Sequence, residues 1–335
     1  MNCFEYLGLP ATHRKQPVQL VLHREDATQS KLSFPTYGQL KVDGVFAMLI
    51  VKQEGESHVG KIFGRSGREL SNTYILAQKL AGYLTEGVYF GELTSHAPHE
   101  LPELSGVVNP DRVNKLDWFG EAIRSGLYMA MHDFLPTKVF ISGTCQAGYL
   151  KRYEALKSRL QVFFDVASKD KPQLLELLPF TELNSDREVQ NFAQHHINNG
   201  EEGAVFKQDT GWEAGHKGWR VTKIVRNISF DLECIGFEEG KGKYECKVAN
   251  LLFRWKDGLT LTAMLGKGWT HEDAEMMFNL IIGSKQQPSN SCIQHHRLFP
   301  IGKVFEVYAM EYSTKGLLRN PKAGELRHDK SCGDF

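Results

Sequence analysis

Apolar and polar positions along the 335-residue chain alternate with the period of a strand in some stretches and of a helix in others. Gly38–Lys52, GQLKVDGVFAMLIVK, reads as a buried strand, a turn and a second strand. Gln53-Glu54-Gly55-Glu56 then turns the chain into a strand near Val59–Phe63. Ile75, Leu76, Leu80 and Leu84 recur at helical spacing within Ser71–Leu84, which predicts a helix behind a Ser/Asn cap. Gly87–Leu93 and Leu127–Leu135 have the composition of interior strands. Tyr149–Phe164 and Glu188–Ile197 read as helices, the second stopped by Asn199-Gly200. Short strands are expected at Ala204–Lys207 and Trp219–Val225. This is an α+β pattern with much antiparallel strand.

The pattern changes after about Arg226. Phe230–Leu265 alternates through short strands with turns at Glu239-Gly240 and Asp257-Gly258. One helix is predicted over Thr270–Ile281, with Thr270 and Asp273 spaced as a capping box. A last strand pair is expected around Val304–Glu311. Several short strands and one helix in this length predict a small β-barrel of the OB type. The domains expected are therefore residues 1–226 and 227–335.

Composition narrows the class. Aromatics make up 11% and no long charged block occurs, which excludes disorder. No run reaches the ~20 apolar residues of a membrane span, and the start, Met-Asn-Cys-Phe-Glu-Tyr, does not read as a signal peptide. Cys3, Cys145, Cys234, Cys246, Cys292 and Cys332 form no Cys-x-x-Cys pair, so reduced thiols in the cytoplasm are expected. Forty Lys and Arg balance forty Asp and Glu, which argues against coating nucleic acid by bulk attraction and leaves room for a local basic groove. No P-loop spacing is present, and the adjacent His195 and His196 point about 100° apart on a helix, which does not suit a zinc site.

Lys41-Val42-Asp43-Gly44 stands between two strand-like segments. A lysine there is either a stem that snorkels from a hairpin turn or a nucleophile. At the ordinary lysine pKa of ~10.4 an amine is protonated, and burial and nearby cations are what expose its lone pair. Other units follow in order: Arg65-Ser66-Gly67, Glu92 in the strand FGEL, Glu202-Gly203-Ala204-Val205-Phe206-Lys207, Lys223 in WRVTKIV, and Arg327-His328-Asp329-Lys330. In this order they resemble motifs I, Ia, III, IV, V and VI of the covalent nucleotidyltransferases, which include ATP-dependent DNA ligases, capping enzymes and RNA ligases. Glu239-Gly240-Lys241-Gly242-Lys243-Tyr244, with Lys247-Val248, looks like the opening of a ligase OB domain, and Gly302–Val304 through Lys330 resembles its close. The resemblance is nearest to the short, phage-type ATP-dependent DNA ligases.

That resemblance implies a nucleotidyltransferase (adenylation) domain followed by an OB-fold domain. It implies that Lys41 takes AMP from ATP, passes it to the 5′-phosphate of a nick in duplex DNA, and releases it when the 3′-hydroxyl seals the strand. Gln39, Lys41, Arg65, Glu92, His132, Lys207 and Lys223 would contact the nucleotide; His132 also reads as a satisfied core histidine, and Lys207 equally as an edge-strand lysine. Glu92 and Glu202 would hold Mg²⁺, for which Mn²⁺ substitutes. Asp43, Lys241, Lys243 and Lys247, with Arg254 and Lys256 nearby, would face DNA, while Arg327, Asp329 and Lys330 would align pyrophosphate by closure over the nucleotide. A monomer with no membrane partner is expected, in the cytoplasm, or in a host's cytoplasm if viral. The chain departs from the family at Gln39, where DNA ligases often carry glutamate, at Phe46 and Val221, where the family carries cations, and at Phe90, which precedes Gly91-Glu92. A capping guanylyltransferase, an RNA ligase, or a nick- or nucleotide-binding protein that has lost catalysis remain as alternatives.

Overall fold

The near-continuous apolar run Ala47–Val51 is explained by a strand covered on both faces, with every residue of it fully buried. Ala47, Leu49 and Val51 enter one core with Leu76, Leu80, Leu104, Ile123, Leu156 and Leu160 of the surrounding helices, while Met48 and Ile50 enter another with Phe4, Phe63 and Phe140. The computed structural model describes residues 1–166, 173–287, 291–310, 312, 316–330 and 332–335. It divides into two units, Met1–Val225 and Arg226–Phe335.

In chain order the strands of the first unit begin with β1 (Leu20–His23), β2 (Thr36–Leu40), β3 (Val45–Glu54), β4 (Ser57–Phe63), β5 (Gly87–Ser95) and β6 (Leu127–Leu135). They continue with β7 (Thr144–Cys145), β8 (Leu175–Leu177), β9 (Thr181–Leu183), β10 (Gly203–Gln208), β11 (Trp212–Glu213) and β12 (Lys217–Val225). One sheet has the order β4-β3-β5-β6-β8, a second has β1-β12-β10-β2-β9, and β7 pairs with β11. On β10 the alternation is clean: Ala204 and Phe206 pack under the helix Asp186–Asn198 with Val189 and Ala193, which sends Val205 and Lys207 to the opposite face. Gly200, at φ +83°, ends that helix in the left-handed region just past Asn199.

Two local expectations change. The helix placed at 71–84 spans only Tyr74–Ala81 and has no side-chain cap. Asn72 instead takes φ +61° and donates to the Val107 carbonyl at 2.7 Å, and Thr73 Oγ1 donates backwards to the Leu70 carbonyl. The segment between β5 and β6 carries two helices not anticipated from the apolar pattern, Leu101–Val108 and Trp118–Ser125. Their starts are polar signals: Glu100 and Glu103 form a reciprocal capping box, and Asp117 accepts from the Gly120 amide.

The second unit is a closed barrel of β13 (Ile228–Glu239), β14 (Val248–Arg254), β15 (Thr260–Leu265), β16 (Val304–Ala309) and β17 (Lys322–Leu326), ordered β13-β14-β15-β17-β16. Parallel pairing of β15 with β17 and antiparallel return of β16 onto β13 give the connectivity of an OB fold. The helix His271–Gln286 lies between β15 and β16 in the chain, and Thr270 and Asp273 cap it reciprocally. The strand pair expected at the end is β16 with β17; Glu311, at the edge of that expectation, lies outside the described residues. Among the described residues no helix is long and apolar enough to cross a membrane.

Behind β6 lies a buried ion pair. Arg152 Nε and Nη2 donate to the two Asp133 carboxylate oxygens, each at 2.9 Å, and Nη1 reaches the Ala147 and Thr210 carbonyls at 2.7 and 2.9 Å. Burial pushes the Asp133 carboxyl up, but Arg152 outweighs it and holds it below the usual carboxylate range. Removing the cation strands a buried charge, so Arg152→Met is expected to destabilise the first unit by about 3–5 kcal/mol, with part recovered in the double variant Arg152→Met/Asp133→Asn. Denaturant melts of the three proteins check this. Because the native carboxyl titrates below its unfolded value of ~3.9, the pair's contribution is full above that pH and is lost as pH falls through the native pKa.

Candidate active site

Lys41 follows the last residue of β2, and its backbone amide donates to the Gly203 carbonyl at 3.0 Å, so the pairing of β2 with β10 extends to the lysine. Glu202 immediately precedes β10. Its Oε2 accepts from Lys41 Nζ at 2.7 Å, with side-chain exposures of 9% for the acid and 22% for the base. Gly203 makes this approach possible. It sits at φ +137°, and a Cβ there would lie 2.3 Å from the Ile224 carbonyl oxygen on β12. Gly44 is constrained as well, since a Cβ would meet the Leu93 carbonyl at 2.7 Å and Glu92 Cβ at 3.3 Å. The turn after Lys41 therefore lies directly on β5.

Register brings the remaining groups in. Gln39, Val205 and Lys223 are direct cross-strand neighbours on β2, β10 and β12, and so share one face. Glu92 lies on β5 opposite Phe46 of β3. Burial pushes its carboxyl up to about 7, against the pull of Lys41 and Arg65 and with the repulsion of Glu202 and Asp43 added. Burial lowers the Lys223 amine, and Lys41 and Arg65 add to this while Glu202 opposes it. The charges of Lys41, Asp43, Arg65, Glu92, Glu202 and Lys223 thus act on one another in a single cluster. Arg65 is exposed in the turn after β4, with its guanidinium 5.7 Å from the centroid of the Phe46 ring. The cation absent at position 46 is replaced by an apolar ring on which another cation rests.

His132 and Lys207 form a separate, adjoining group. The pairing of β5 with β6 slips between Phe90 and Gly91, leaving His132 as the bulged residue. Its ring centroid is 6.5 Å from that of Phe46. Lys207 Nζ lies 3.1 Å from both the His132 carbonyl and His132 Nδ1, and 4.6 Å from the Tyr149 ring centroid. Burial pushes the Lys207 amine down to about 7 and the imidazole down to about 3. The histidine is therefore a neutral ring, held at Nδ1 by Lys207. Lys207 is engaged with His132 rather than with the Lys41 cluster. Gln39, 2% exposed, donates one of its two amide hydrogens to the Leu178 carbonyl at 2.9 Å.

The barrel residues are described within their own unit. Arg327 donates to Asp231 and Asp329, and Lys330 donates to Asp231. Lys241 and Lys243 are exposed after β13, whereas Lys247 is paired with Glu275 and Arg254 with Glu233. Lys256 Nζ lies 4.9–5.5 Å from the ring centroids of Phe230, Trp255, Tyr312 and Phe335. Lys243 Nζ likewise lies 4.9 Å from the Tyr244 ring centroid, so of the basic residues expected to face DNA only Lys241 has no such partner in the contacts described. Sequence reasoning missed Asp231 and the pair of Asp133 with Arg152. The signal was present in both cases, as an acid flanked by apolar residues inside a strand: Asp231 in SFDLEC and Asp133 in MHDFL.

Glu92 on β5 and Glu202 just before β10 supply carboxylate oxygens, and a bound cation would favour the charged form of Glu92 that burial opposes. Among the described residues no group of three or more His, Cys, Asp or Glu is assembled to hold a metal. A two-carboxylate set suits Mg²⁺, which keeps waters and takes further oxygens from phosphates.

By sequence the chain matches no family model and no curated protein. By structure it is similar to a solved structure named Pmar-Lig_PreS3, with a TM-score of 0.67 at 17% identity over 92% of this chain and 67% of that one. A structure from an analysis of Lig E DNA ligases gives 0.62 at 12% identity over 92% and 98% of the two chains. The ATP-dependent DNA ligase of bacteriophage T7, in complex with ATP, gives 0.52 at 16% identity over 94% and 100%. The chain therefore has the fold of these ligase structures, a mixed α+β unit followed in sequence by an OB barrel.

Proposed function

We propose that this chain is an ATP-dependent DNA ligase that seals 5′-phosphate/3′-hydroxyl nicks in duplex DNA through AMP carried on Lys41. The observation that carries the reading is the meeting of Lys41 Nζ with Glu202 at 2.7 Å inside the charge cluster of Glu92, Arg65 and Lys223. In the first step the Lys41 amine forms a bond to the α-phosphorus of ATP as the bond to the bridging oxygen breaks and pyrophosphate leaves with the electron pair. Glu202, already accepting from the amine, is the nearest group to take its proton. In the second step an oxygen of the nick's 5′-phosphate displaces Lys41 from the phosphorus, and the amine recovers a proton. In the third, the 3′-hydroxyl attacks that 5′-phosphate and AMP departs.

These are in-line displacements, so the protein's part is placement and charge. Lys223 and Arg65 supply cations to the phosphate oxygens. The neutral His132 ring, with its Nδ1 engaged by Lys207, offers a flat face to the purine without adding charge. Glu92 and Glu202 would hold Mg²⁺, which when bound neutralises phosphate charge. Asp43, with Lys241 and Lys243, provides the groups for DNA contact.

Incubation with α-labelled ATP and Mg²⁺ is expected to give a labelled chain on a denaturing gel, and Lys41→Ala to abolish it. Labelling by GTP alone would assign the chain to capping instead, and no label from either nucleotide would leave only a binding role. Lys223→Ala is expected to slow labelling by about 10²-fold, as loss of one preorganised donor does. Acidity gives a further check, because protons and metal compete for a Glu92 carboxyl that titrates at about 7. Labelling is expected to fall between about pH 8 and about pH 6, with a midpoint that moves to lower pH as Mg²⁺ is raised. A midpoint indifferent to Mg²⁺ would remove Glu92 from the metal site.

A further inference from the structure

The loop before β2 keeps an aromatic ring in water while the residues beside it are pinned. Gln208 Oε1 accepts from the Ser33 amide at 3.0 Å and from Ser33 Oγ at 2.7 Å, and its Nε2 donates to Thr36 Oγ1 at 3.1 Å. Gln208 and Thr36 are both buried, so these bonds fix the chain on either side of Phe34. Phe34 is nonetheless 40% exposed. A loose loop does not explain that exposure. The ring lines a cavity of about 610 Å³ together with Trp219, Lys31 and Asp209. Trp219 stands on β12 four residues from Lys223, about 13 Å along the strand, so the cavity is set apart from the Lys41 cluster.

The charges around this cavity do not cancel. Asp209 Oδ1 accepts from the Leu150 amide at 3.0 Å, at the start of the helix Tyr149–Val166, where the helix dipole favours a negative charge. Arg220, with its guanidinium 5.1 Å from the Trp219 ring centroid, is tied to Thr210 Oγ1, the Gly211 carbonyl and Glu213. Lys31 has no acid paired with it in the contacts described, and its ammonium lies 6.0 Å from the same ring centroid. The cavity therefore offers two aromatic rings and one uncommitted cation. That set suits a ligand that is flat and anionic at once, as a nucleobase carrying a phosphate is.

We propose that this cavity binds a nucleotide, with its base against Phe34 and Trp219 and its phosphate at Lys31. The site is distinct from the one that would carry AMP, and the inference does not rest on the chemistry of Lys41. A base inside a duplex has both faces covered by its neighbours, so the nucleotide must be unpaired. An unpaired nucleotide of a strand and a free mononucleotide present the same two groups.

Fluorescence anisotropy with a labelled oligodeoxythymidylate of about ten nucleotides reads the site. Phe34→Ala is expected to weaken binding about tenfold and Phe34→Tyr to keep it within about twofold, as stacking requires. Lys31→Gln is expected to weaken binding and to lower the slope of log affinity against log salt by about 0.7. Displacement of the probe by dTMP would extend the site to free nucleotides; displacement by unlabelled oligomer alone would assign it to strands. A fully paired duplex of the same length is expected to bind the unsubstituted chain and Phe34→Ala equally. No binding of the oligomer by the unsubstituted chain, or equal binding by it and both variants, would overturn the proposal. So would an equal loss for duplex and single strand in Phe34→Ala, or a fall in melting temperature that tracks the loss of binding. Both variants are expected to take label from ATP at the rate of the unsubstituted chain. If none of the three takes label, the ligase reading fails, and the oligomer measurements alone decide the cavity.

Discussion

A lysine and a glutamate meet where two antiparallel strands run out, and the rest of the first unit is arranged around that meeting. Neither charge is cheap to hold away from water, and neither side chain alone would stay there. The ladder between β2 and β10 brings the two backbones together, and Gly203 closes the last step, because any side chain at that position would strike β12. Once this pair is in place, the sheet carrying Glu92 must approach closely enough for its carboxyl to feel Lys41, and Gly44 is the residue that allows it. Glycine here is a condition of distance between charged groups.

The fold was readable where one physical demand dominated. The apolar strands around Lys41 announced themselves because two cores claim alternate residues of β3, and the barrel showed through its alternation and its capped helix. Lys41 alone could have been a snorkelling stem, and its cluster was legible through the fixed order of the units that resemble the nucleotidyltransferase motifs. What escaped notice was set by partners distant in sequence. Nothing local to Asp231 points to Arg327, nearly a hundred positions away, and nothing local to Asp133 points to Arg152 on the helix Tyr149–Val166. The helices between β5 and β6 were missed because their starts are marked by Glu and Asp caps while their apolar stripes are short. Lys207 shows the limit at a single residue, since only the tertiary structure reveals that its amine is taken by His132.

The two units use charge differently. In the first, cations and acids converge with incomplete mutual satisfaction, and the result is perturbed groups: a glutamate pushed up to about 7 and a lysine lowered by burial and like charge. Such imbalance is what a site for a polyanionic ligand requires. In the second unit, Lys247, Arg254, Lys256, Arg327 and Lys330 are answered by acids or rings of the same unit. With a net charge of zero for the whole chain, any attraction for a phosphate backbone would have to come from the arrangement of charge and not from its sum.

The strand order of the second sheet has a consequence for synthesis. β1, near the start of the chain, sits at the sheet's edge and bonds to β12, formed some two hundred residues later, and β12 also separates it from β10. A polypeptide emerging from the ribosome therefore exposes β1 without its neighbour until Lys217–Val225 has left the exit tunnel. For most of translation this unit is an incomplete sheet with an open edge, the condition in which chains most often pair with the wrong partner.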